Sequence, residues 1–213
     1  MTSFPDPESA ENPFSTRRVR PGAIGYHFPE GRSAPGLVER LRENGWRGQI
    51  VGPHGSGKSA LVGALIPGIE QAGRRVVLIE LHDRQRRLPV SFRRTPDMGA
   101  GAVVIVDGYE QLPWRRRFSL EWFCRRRGLG LVVTSHRSLG LPDLFRTTTS
   151  VATARQIVDR LLGEGPSPVI RPEEVDQRFS VHQGNMREIL FDLYDLYEQR
   201  RADRNASTHP AEA

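Results

Sequence analysis

Short apolar runs alternate with longer amphipathic stretches over most of this chain. Runs rich in β-branched residues predict four strands and a weaker fifth, at Arg47–Val51, Arg75–Leu81, Val103–Val106, Leu129–Thr134 and Thr147–Val151. Helical stretches separate these strands, which is typical of a parallel sheet covered by helices. The near-continuous apolar runs of the third and fourth strands indicate a sheet that is buried on both faces.

Two of the intervening helices carry distinctive patterns. The first runs from Lys58 to about Ala72, and we expect Pro67 to kink or break it, because proline removes a backbone donor and clashes with the preceding turn. In the second, Trp114, Phe118 and Trp122 recur at every fourth position. This spacing predicts a helix that packs an aromatic face inward.

Beyond residue 152 the pattern is helical only, with helices predicted over Ala154–Leu162, from Pro172 onward and over Asn185–Arg200. The chain therefore divides into a disordered N-terminus at 1–16, an α/β core at 17–152, a helical lid subdomain at 153–201 and a disordered tail at 202–213. The two ends are assigned to disorder because neither shows apolar periodicity.

The segment from Gly52 to Ser59 reads Gly-Pro-His-Gly-Ser-Gly-Lys-Ser and fits the P-loop pattern G-x-x-x-x-G-K-[ST], between a strand and a helix as that motif requires. Its glycines let backbone N–H groups turn toward phosphate oxygens, at a helix N-terminus that favours negative charge. The pattern predicts that ATP is bound by Gly52, Gly55, Ser56, Gly57, Lys58, Ser59 and Ala60. The fold class is therefore a P-loop NTPase, a three-layer α/β structure with about five parallel strands.

Lys58 is the only lysine of the chain, since every other position in the Lys plus Arg count of 31 is arginine. An arginine-biased composition explains those other positions but not this exception. A compact ammonium on a flexible stem reaches between the β- and γ-phosphates, whereas a planar guanidinium is too broad. We therefore assign Lys58 to phosphate binding and catalysis.

An acidic residue is expected at the end of an apolar strand near a P-loop, and Asp107 ends the run of Val103–Val106. We expect Asp107 and Ser59 to hold Mg²⁺. Glu110 is the nearest second carboxylate and is assigned as the residue that orients or deprotonates the attacking water. The alternative, that Glu110 is a surface residue at a helix start, stays open.

The fourth strand ends in Thr134, Ser135, His136 and Arg137. Since the carboxyl ends of parallel strands line the ligand crevice, a hydroxyl there can sense the γ-phosphate. Thr134 or Ser135 fits this role, and we name Ser135 as the catalytic residue. His136 as the sensor instead, a structural role for His136, and contact of Arg137 with phosphate or with a neighbouring subunit stay open.

This order of motifs, followed by helices, resembles the AAA+ ATPases and their STAND-type relatives. Gly184-Asn185-Met186-Arg187 is similar to the G-[DN]-x-R signature of origin-recognition, initiator and clamp-loader ATPases. The resemblance covers about residues 20 to 200, and it implies that Arg187 touches a nucleotide phosphate. It also implies that Pro21–Ser33, with Tyr26, His27 and Phe28, wraps the adenine base.

Two departures from the family pattern concern activity. The glutamate that usually follows the strand-end aspartate is replaced by Gly108, which puts rapid hydrolysis in doubt unless Glu110 substitutes for it. The segment His82–Gly101 is short and leaves little room for the pore loop of a remodelling motor. We therefore do not expect an unfoldase.

The charge of the chain indicates which kinds of partner it could bind. The net charge of +6 favours polyanions, and arginines cluster at Arg115–Arg117 and Arg125–Arg127. These clusters form a solvated face, or they contact DNA, an acidic protein or a neighbouring subunit of a homo-oligomer. No RNA-binding, helix-turn-helix or zinc-finger pattern accompanies them.

Location follows from three absences in the sequence. The longest clean apolar run, Ala102 to Val106, is far below the ~20 residues of a membrane span. The acidic N-terminus shows no signal-peptide pattern, and Cys124 is a lone cysteine without a disulfide partner. These features predict a cytoplasmic protein with no membrane partner.

Three functions stay open at this point. The first is an Mg-ATP-binding AAA+-like ATPase or nucleotide-dependent switch. The second is a P-loop small-molecule kinase, which the helical segment at the end of the core disfavours, because kinases insert an arginine-bearing lid within the core. The third is a nucleotide-binding scaffold that does not hydrolyse ATP, which Gly108 suggests.

Overall fold

The computed structural model describes residues 12–19, 24–82, 85–89, 99, 101–163 and 169–208. The described residues form two compact units, each with its own hydrophobic core. Gly25–Thr148 form the first unit, and the described residues of Met1–Ile24 and Thr149–Ala213 form the second. No helix within these ranges is both long and apolar enough to cross a membrane.

Five parallel strands form one sheet in the first unit. They are β1 (Arg47–Val51), β2 (Val76–Glu80), β3 (Val103–Asp107), β4 (Gly130–Ser135) and β5 (Asp143–Arg146). Their order across the sheet is β2-β3-β4-β1-β5, so that β1 and β3 flank β4. The predicted α/β fold with about five parallel strands is confirmed.

The helices are α1 (Thr16–Val19), α2 (Ala34–Glu43), α3 (Lys58–Gln71), α4 (Trp114–Arg126), α5 (Val151–Leu162), α6 (Pro172–Val181) and α7 (Met186–Thr208), with a 3-10 turn at Tyr109–Gln111. The helices α2, α3 and α4 belong to the first unit, and α1, α5, α6 and α7 to the second. The helical segment predicted at the end of the chain is therefore present.

Both faces of the sheet are covered, because successive residues of a strand point to opposite sides. Along β3, Val104 and Val106 belong to the cluster that includes Leu120 of α4. Val103 and Ile105 belong to the cluster that includes the buried positions of α2 and α3. Each fully buried aliphatic side chain contributes about 1.5–3 kcal/mol. This three-layer packing holds the carboxyl ends of β1, β3 and β4 in fixed register.

The prediction that α4 packs its aromatic face inward is wrong. Trp114, Phe118 and Trp122 are 70%, 67% and 55% exposed, whereas Leu120 and Cys124 are buried against the sheet. At 3.6 residues per turn, the pair Leu120 and Cys124 lies about 140° around the helix from the aromatic stripe. Both sets repeat every four residues, and the smaller side chains occupy the close contact with β3 and β4.

The fifth strand also differs from its prediction over Thr147–Val151. It lies at Asp143–Arg146, and α5 begins at Val151. The Ser150 hydroxyl accepts a hydrogen bond from the Thr153 N–H and caps the helix. The β-branched run does not form a strand, because its last hydroxyl, that of Ser150, caps the start of α5.

Pro67 does not break the helix, since α3 continues from Lys58 through Pro67 to Gln71. Pro67 is exposed, so its ring projects into solvent. A Cβ at Gly68 would lie 3.0 Å from Val38 Cγ2, which shows how closely α2 and α3 approach each other. This packing supports the helix beyond the proline.

The second unit extends beyond the boundaries that the sequence predicts. Phe14 lies within the segment assigned to disorder, yet it is 1% exposed and packs edge-on against Tyr197. At the other end, α7 continues past position 201 to Thr208. Within this unit the Arg200 guanidinium pairs with the Glu174 carboxylate and lowers its pKa to about 2.

Candidate nucleotide-binding site

The loop between β1 and α3 has the shape that a phosphate cradle requires. Gly57 at the helix N-cap and Gly55 both adopt left-handed backbone, with φ of 86° and 67°. A Cβ at Gly52 would lie 2.1 Å from Thr147 Oγ1, so no larger residue fits there. Three of the predicted P-loop glycines are therefore dictated by the backbone itself.

Ser56 fastens this loop to the end of β5. Its hydroxyl donates to the Pro53 carbonyl oxygen at 2.8 Å and lies 2.6 Å from Thr147 Oγ1. Ser56 and Thr147 are 3% and 1% exposed, so these bonds are shielded from water. The loop is thus held in a fixed curve from two sides.

Lys58 begins α3 and turns its ammonium toward the loop. Its Nζ donates to the carbonyl oxygens of Gly52 at 2.8 Å and Pro53 at 2.7 Å. Burial lowers the pKa of Lys58, and the negative charges of Glu110 and Asp107 oppose that shift. The site therefore places its one ammonium under the influence of both predicted carboxylates.

The predicted metal ligand Asp107 ends β3 and has a fixed orientation. The Thr134 hydroxyl, at the end of the neighbouring β4, donates a short hydrogen bond to Asp107 Oδ1. Thr134 Oγ1 in turn accepts from the Gly108 N–H at 2.9 Å, and the threonine is fully buried. Thr134 thus holds both the aspartate side chain and the backbone that follows it.

Gly108, where the AAA+ pattern that the sequence resembles has a glutamate, lies in a backbone that disfavours a side chain. Its φ is 82°, and a Cβ would lie 2.6 Å from the Leu81 carbonyl oxygen. The left-handed turn leads directly into the 3-10 turn that carries Glu110. The departure at Gly108 therefore has a structural cause, and Glu110 is the first acidic side chain after Asp107.

Glu110 lies within hydrogen-bond distance of His136, which follows β4. The Glu110 Oε1 and His136 Nε2 atoms are 2.8 Å apart. The second oxygen, Oε2, is buried and has no hydrogen-bond partner among the described residues. Glu110 therefore has one oxygen held by His136 and one buried oxygen without a partner among the described residues.

His136 links this glutamate to the P-loop. Its Nδ1 lies 3.4 Å from Lys58 Nζ and 3.2 Å from the Gly52 carbonyl oxygen. Its ring centroid lies 3.7 Å from that of His54, with the two planes tilted by 38°. Burial and then the Lys58 charge lower the pKa of His136, while Glu110 opposes them. A neutral ring protonated on Nε2 donates to Glu110 and accepts from Lys58.

The remaining predicted residues of this unit have different environments. The Ser135 hydroxyl donates to the Arg137 carbonyl oxygen at 2.6 Å, so the hydroxyl directed at Asp107 comes from Thr134 instead. Ser59 and Ala60 lie half-buried in the first turn of α3. Thr134 and His136 are thus the residues whose contacts the sequence did not reveal, because both contacts join positions distant in the chain.

Tyr26 covers one side of the P-loop. Its ring carbon Cε2 would lie 3.3 Å from a Cβ at Gly57, and the ring packs edge-on against Phe28 and Phe145. Burial raises the pKa of Tyr26 to about 12. Of the segment predicted to wrap a base, positions 21–23 lie outside the described residues.

Arg187, the residue that the resemblance assigns to phosphate, lies in the second unit. It is exposed in the first turn of α7, where its N–H donates to Asn185 Oδ1 at 3.2 Å. Gly184 before it has a φ of 78° and receives a hydrogen bond on its carbonyl oxygen from Thr149 at 2.8 Å. The Gly-Asn-x-Arg segment is therefore a fixed helix entry.

The parallel sheet, the strand–loop–helix with a glycine cradle and the helical second unit define a P-loop NTPase fold like that of AAA+ domains. The structure is similar to a solved structure of the replication initiator DnaA bound to AMPPCP and single-stranded DNA. The TM-score is 0.54 at 19% identity, over 86% of this chain and 69% of that chain.

Two further solved structures match at lower scores. One is a DNA replication initiation factor, with a TM-score of 0.49 at 17% identity over 78% of this chain and 62% of that chain. The other is AMPPCP-bound DnaA from Aquifex aeolicus, with a TM-score of 0.48 at 19% identity over 84% and 68%. No family model and no curated protein matches the chain.

Proposed function

We propose that this protein is an Mg-ATP-binding, AAA+-like ATPase that works as a nucleotide-dependent switch in the cytoplasm. The observation that carries the proposal is the convergence on one ammonium of a glycine cradle and two carboxylates. Lys58 begins the helix after the cradle, and both Glu110 and Asp107 act on its charge. This arrangement suits a bound triphosphate, whose charge needs a cation and a set of backbone N–H groups.

Nucleotide binding uses groups that the loop already presents. Gly55 and Gly57 hold the left-handed turns, and Lys58 moves from the loop carbonyls to the phosphates when a ligand arrives. Tyr26 packs beside Gly57 and offers an aromatic wall near the loop. The similar DnaA structure contains AMPPCP, which agrees with a nucleotide at this position in the proposal.

The side chains present also fit Mg²⁺. Ser59 and Asp107 would hold the ion, since Mg²⁺ takes one or two protein oxygens and completes its shell with water and phosphate. Among the described residues, no cluster of three or more His, Cys, Asp or Glu could hold a metal without a nucleotide. When bound, the ion neutralises charge on the β- and γ-phosphates.

For hydrolysis, Glu110 is the proposed base. Its Oε2 atom is buried without a partner and can accept a proton from water, while His136 holds Oε1. Lys58 stabilises the charge that develops on the transferred phosphoryl group. Thr134 keeps the Asp107 carboxylate in position through its hydrogen bond. Ser135 and Arg187 keep their predicted catalytic roles as part of this proposal.

The test combines ATP binding with phosphate release by the full chain. Lys58→Arg retains the positive charge but should weaken ATP binding by about 10- to 150-fold, the value of a lost charged hydrogen bond. Glu110→Gln should leave binding intact and slow phosphate release by about 10²- to 10⁴-fold. Glu39→Gln, an exposed glutamate on α2, is the matched control and should behave as wild type.

The same assay separates the alternatives. Phosphate transfer that requires an added small-molecule acceptor would identify a P-loop kinase instead. Tight ATP binding with no release would identify a non-hydrolysing scaffold, which the glycine at position 108 favours. Full activity of Lys58→Arg would contradict the assigned role of the lysine.

The proposal also includes binding partners for this protein. The arginine-rich surface is proposed to contact DNA or a protein, and a homo-oligomer would let Arg137, which is exposed after β4, reach a neighbouring site. The DnaA structure that this chain resembles is bound to single-stranded DNA, which agrees with a DNA partner. Sedimentation with and without ATP tests the oligomer.

A further inference from the structure

The outer face of α4 is chemically uniform. Every exposed side chain of this helix is either aromatic or an arginine, and the apolar side chains that remain are buried or half-buried. Trp114, Phe118 and Trp122 lie 70%, 67% and 55% exposed along one stripe. A soluble surface seldom exposes three large rings in a row without an interaction to serve. We call this stripe and its flanking arginines the α4 face.

Arginines lie beside the rings. With 3.6 residues per turn, Arg115, Arg125 and Arg126 fall within about 40° of the aromatic stripe. The guanidinium groups of Arg115 and Arg126 lie 5.3 Å and 5.4 Å from the centroids of the adjacent tryptophan rings. Among the described residues, neither of these two forms an ion pair with a carboxylate. Their charge is therefore available to an anion.

The negative charge on this helix is paired with arginines. Glu121 is the only acidic residue of α4, and its carboxylate lies 3.6 Å from Arg47 and 3.8 Å from Arg125. The Tyr109 hydroxyl also lies 3.3 Å from Glu121 Oε1. The α4 face thus combines flat apolar rings with a strong positive potential.

We propose that the α4 face binds single-stranded DNA by stacking bases on Trp114, Phe118 and Trp122 while arginines contact the phosphates. Base–aromatic stacking beside a positive surface is the general mode of single-strand binding. Successive rings are about 6 Å apart along the helix axis, close to twice the ~3.4 Å rise of a stacked strand. Each ring can therefore receive every second base.

Other occupants fit this face less well. A duplex keeps the flat faces of its bases stacked on each other, so the rings would have no partner. A second copy would bring two arginine-rich helices together and cost repulsion. RNA recognition uses contacts to the 2′-hydroxyl, and Glu121, the acceptor carboxylate of α4, is already paired with Arg47 and Arg125. DNA meets every requirement of the rings and guanidinium groups.

The experiment measures binding of the full chain to fluorescein-labelled oligo-dT of 20 nucleotides by anisotropy. The double variant Trp114→Ala/Trp122→Ala should weaken binding by about 5- to 140-fold for each ring removed. Because both rings are exposed, thermal unfolding should stay close to wild type. Phenylalanine at both positions should restore most of the binding, since it restores a stacking surface.

Two controls separate stacking from nonspecific effects. Phe191→Ala/Tyr194→Ala removes two exposed rings from the second unit and should leave the dissociation constant unchanged. For charge, Arg115→Ala/Arg126→Ala should reduce the slope of log affinity against log salt by about 1.4, at 0.7 for each phosphate contact on a single strand. The exposed pair Arg32→Ala/Arg40→Ala should not change that slope.

Several results would overturn the proposal. Oligo-dT binding that is unchanged in the tryptophan variant would do so, as would equal affinity for duplex DNA or tighter binding of oligo-U than of oligo-dT. No binding of oligo-dT at all would also overturn it and would indicate that the α4 face contacts a protein instead. The proposal for the α4 face does not depend on the proposal for the nucleotide site. Lys58→Arg, which tests the ATPase, should retain oligo-dT binding without nucleotide, so failure of one proposal is distinguishable from failure of the other.

Discussion

Replacing Gly108 tests whether backbone geometry excludes a side chain directly after Asp107. In Gly108→Ala, the new Cβ would lie 2.6 Å from the Leu81 carbonyl oxygen at a φ of 82°. The left-handed conformation costs an L-residue about 1–2 kcal/mol, and overpacking against a backbone atom costs about 1–3 kcal/mol more. We therefore expect a loss of about 2–5 kcal/mol in the free energy of unfolding.

The chain offers a matched control at Gly140, which has a similar φ of 89° but open space around its Cβ position. Gly140→Ala should cost only the conformational part, about 1–2 kcal/mol. For a chain of this size, each kcal/mol shifts the unfolding midpoint by about 2–4 °C. Calorimetry should thus show a fall of about 4–20 °C for Gly108→Ala and about 2–8 °C for the control.

The same position has a functional consequence. Gly108→Glu introduces the glutamate of the AAA+ pattern that the sequence resembles, yet it should not raise phosphate release above wild type. The side chain would displace the Gly108 N–H from Thr134 and with it the support of Asp107. Equal midpoints for Gly108→Ala and Gly140→Ala, or faster ATP turnover by Gly108→Glu, would refute the reasoning.

Three further outcomes follow from the contacts of the site and of the second unit. His136→Ala should lower the phosphate-release rate by about 10- to 150-fold with little change in ATP affinity, because Glu110 loses a charged hydrogen bond. His136→Asn keeps a hydrogen-bond donor, so its rate should fall less. Thr134→Val should cost about 1–3 kcal/mol in urea unfolding, since it removes the donor to Asp107 and a buried acceptor, and Thr134→Ser should be milder. The pKa of the Glu174 carboxylate is lowered from 4.5 to about 2, so this group stabilises the fold fully above pH 4.5 and loses that contribution as the pH falls toward 2. The unfolding temperature of Glu174→Gln should therefore fall less than that of wild type between pH 4.5 and pH 2.

The P-loop region could be predicted from the sequence because its requirements are local. A β-branched run, a glycine-rich loop and an amphipathic helix specify β1, the turn and α3 within one continuous segment. Asp107 was likewise predictable, since it ends an apolar strand that neighbours β4 in a parallel sheet. These features depend on residues close in sequence, where period and turn chemistry act directly.

The orientation of α4 could not be predicted in the same way. Trp114, Phe118 and Trp122 repeat every four residues, but so do Leu120 and Cys124. Periodicity identifies two faces without saying which one meets the sheet. The choice depends on the space between α4 and its strands, which only the packed structure provides.

The polar contacts of the site could not be predicted from the sequence for a related reason. Thr134 reaches Asp107 across 27 positions, and His136 reaches Lys58 across 78. The sequence places each residue at a strand end, but it does not tell which neighbouring hydroxyl turns toward the aspartate. From its place at the strand end, Ser135 is as good a candidate for the sensor as Thr134, although the structure shows its hydroxyl bonded to the Arg137 carbonyl oxygen in the following loop.

The single lysine makes the site chemically addressable. Because Lys58 carries the only side-chain amine of the chain and burial lowers its pKa, acylating reagents would modify one side chain besides the terminal α-amino group. One mass increment then reports whether that amine is accessible. Any molecule seated on the loop would shield it, so occupancy could be measured in a crude mixture before the ligand is known.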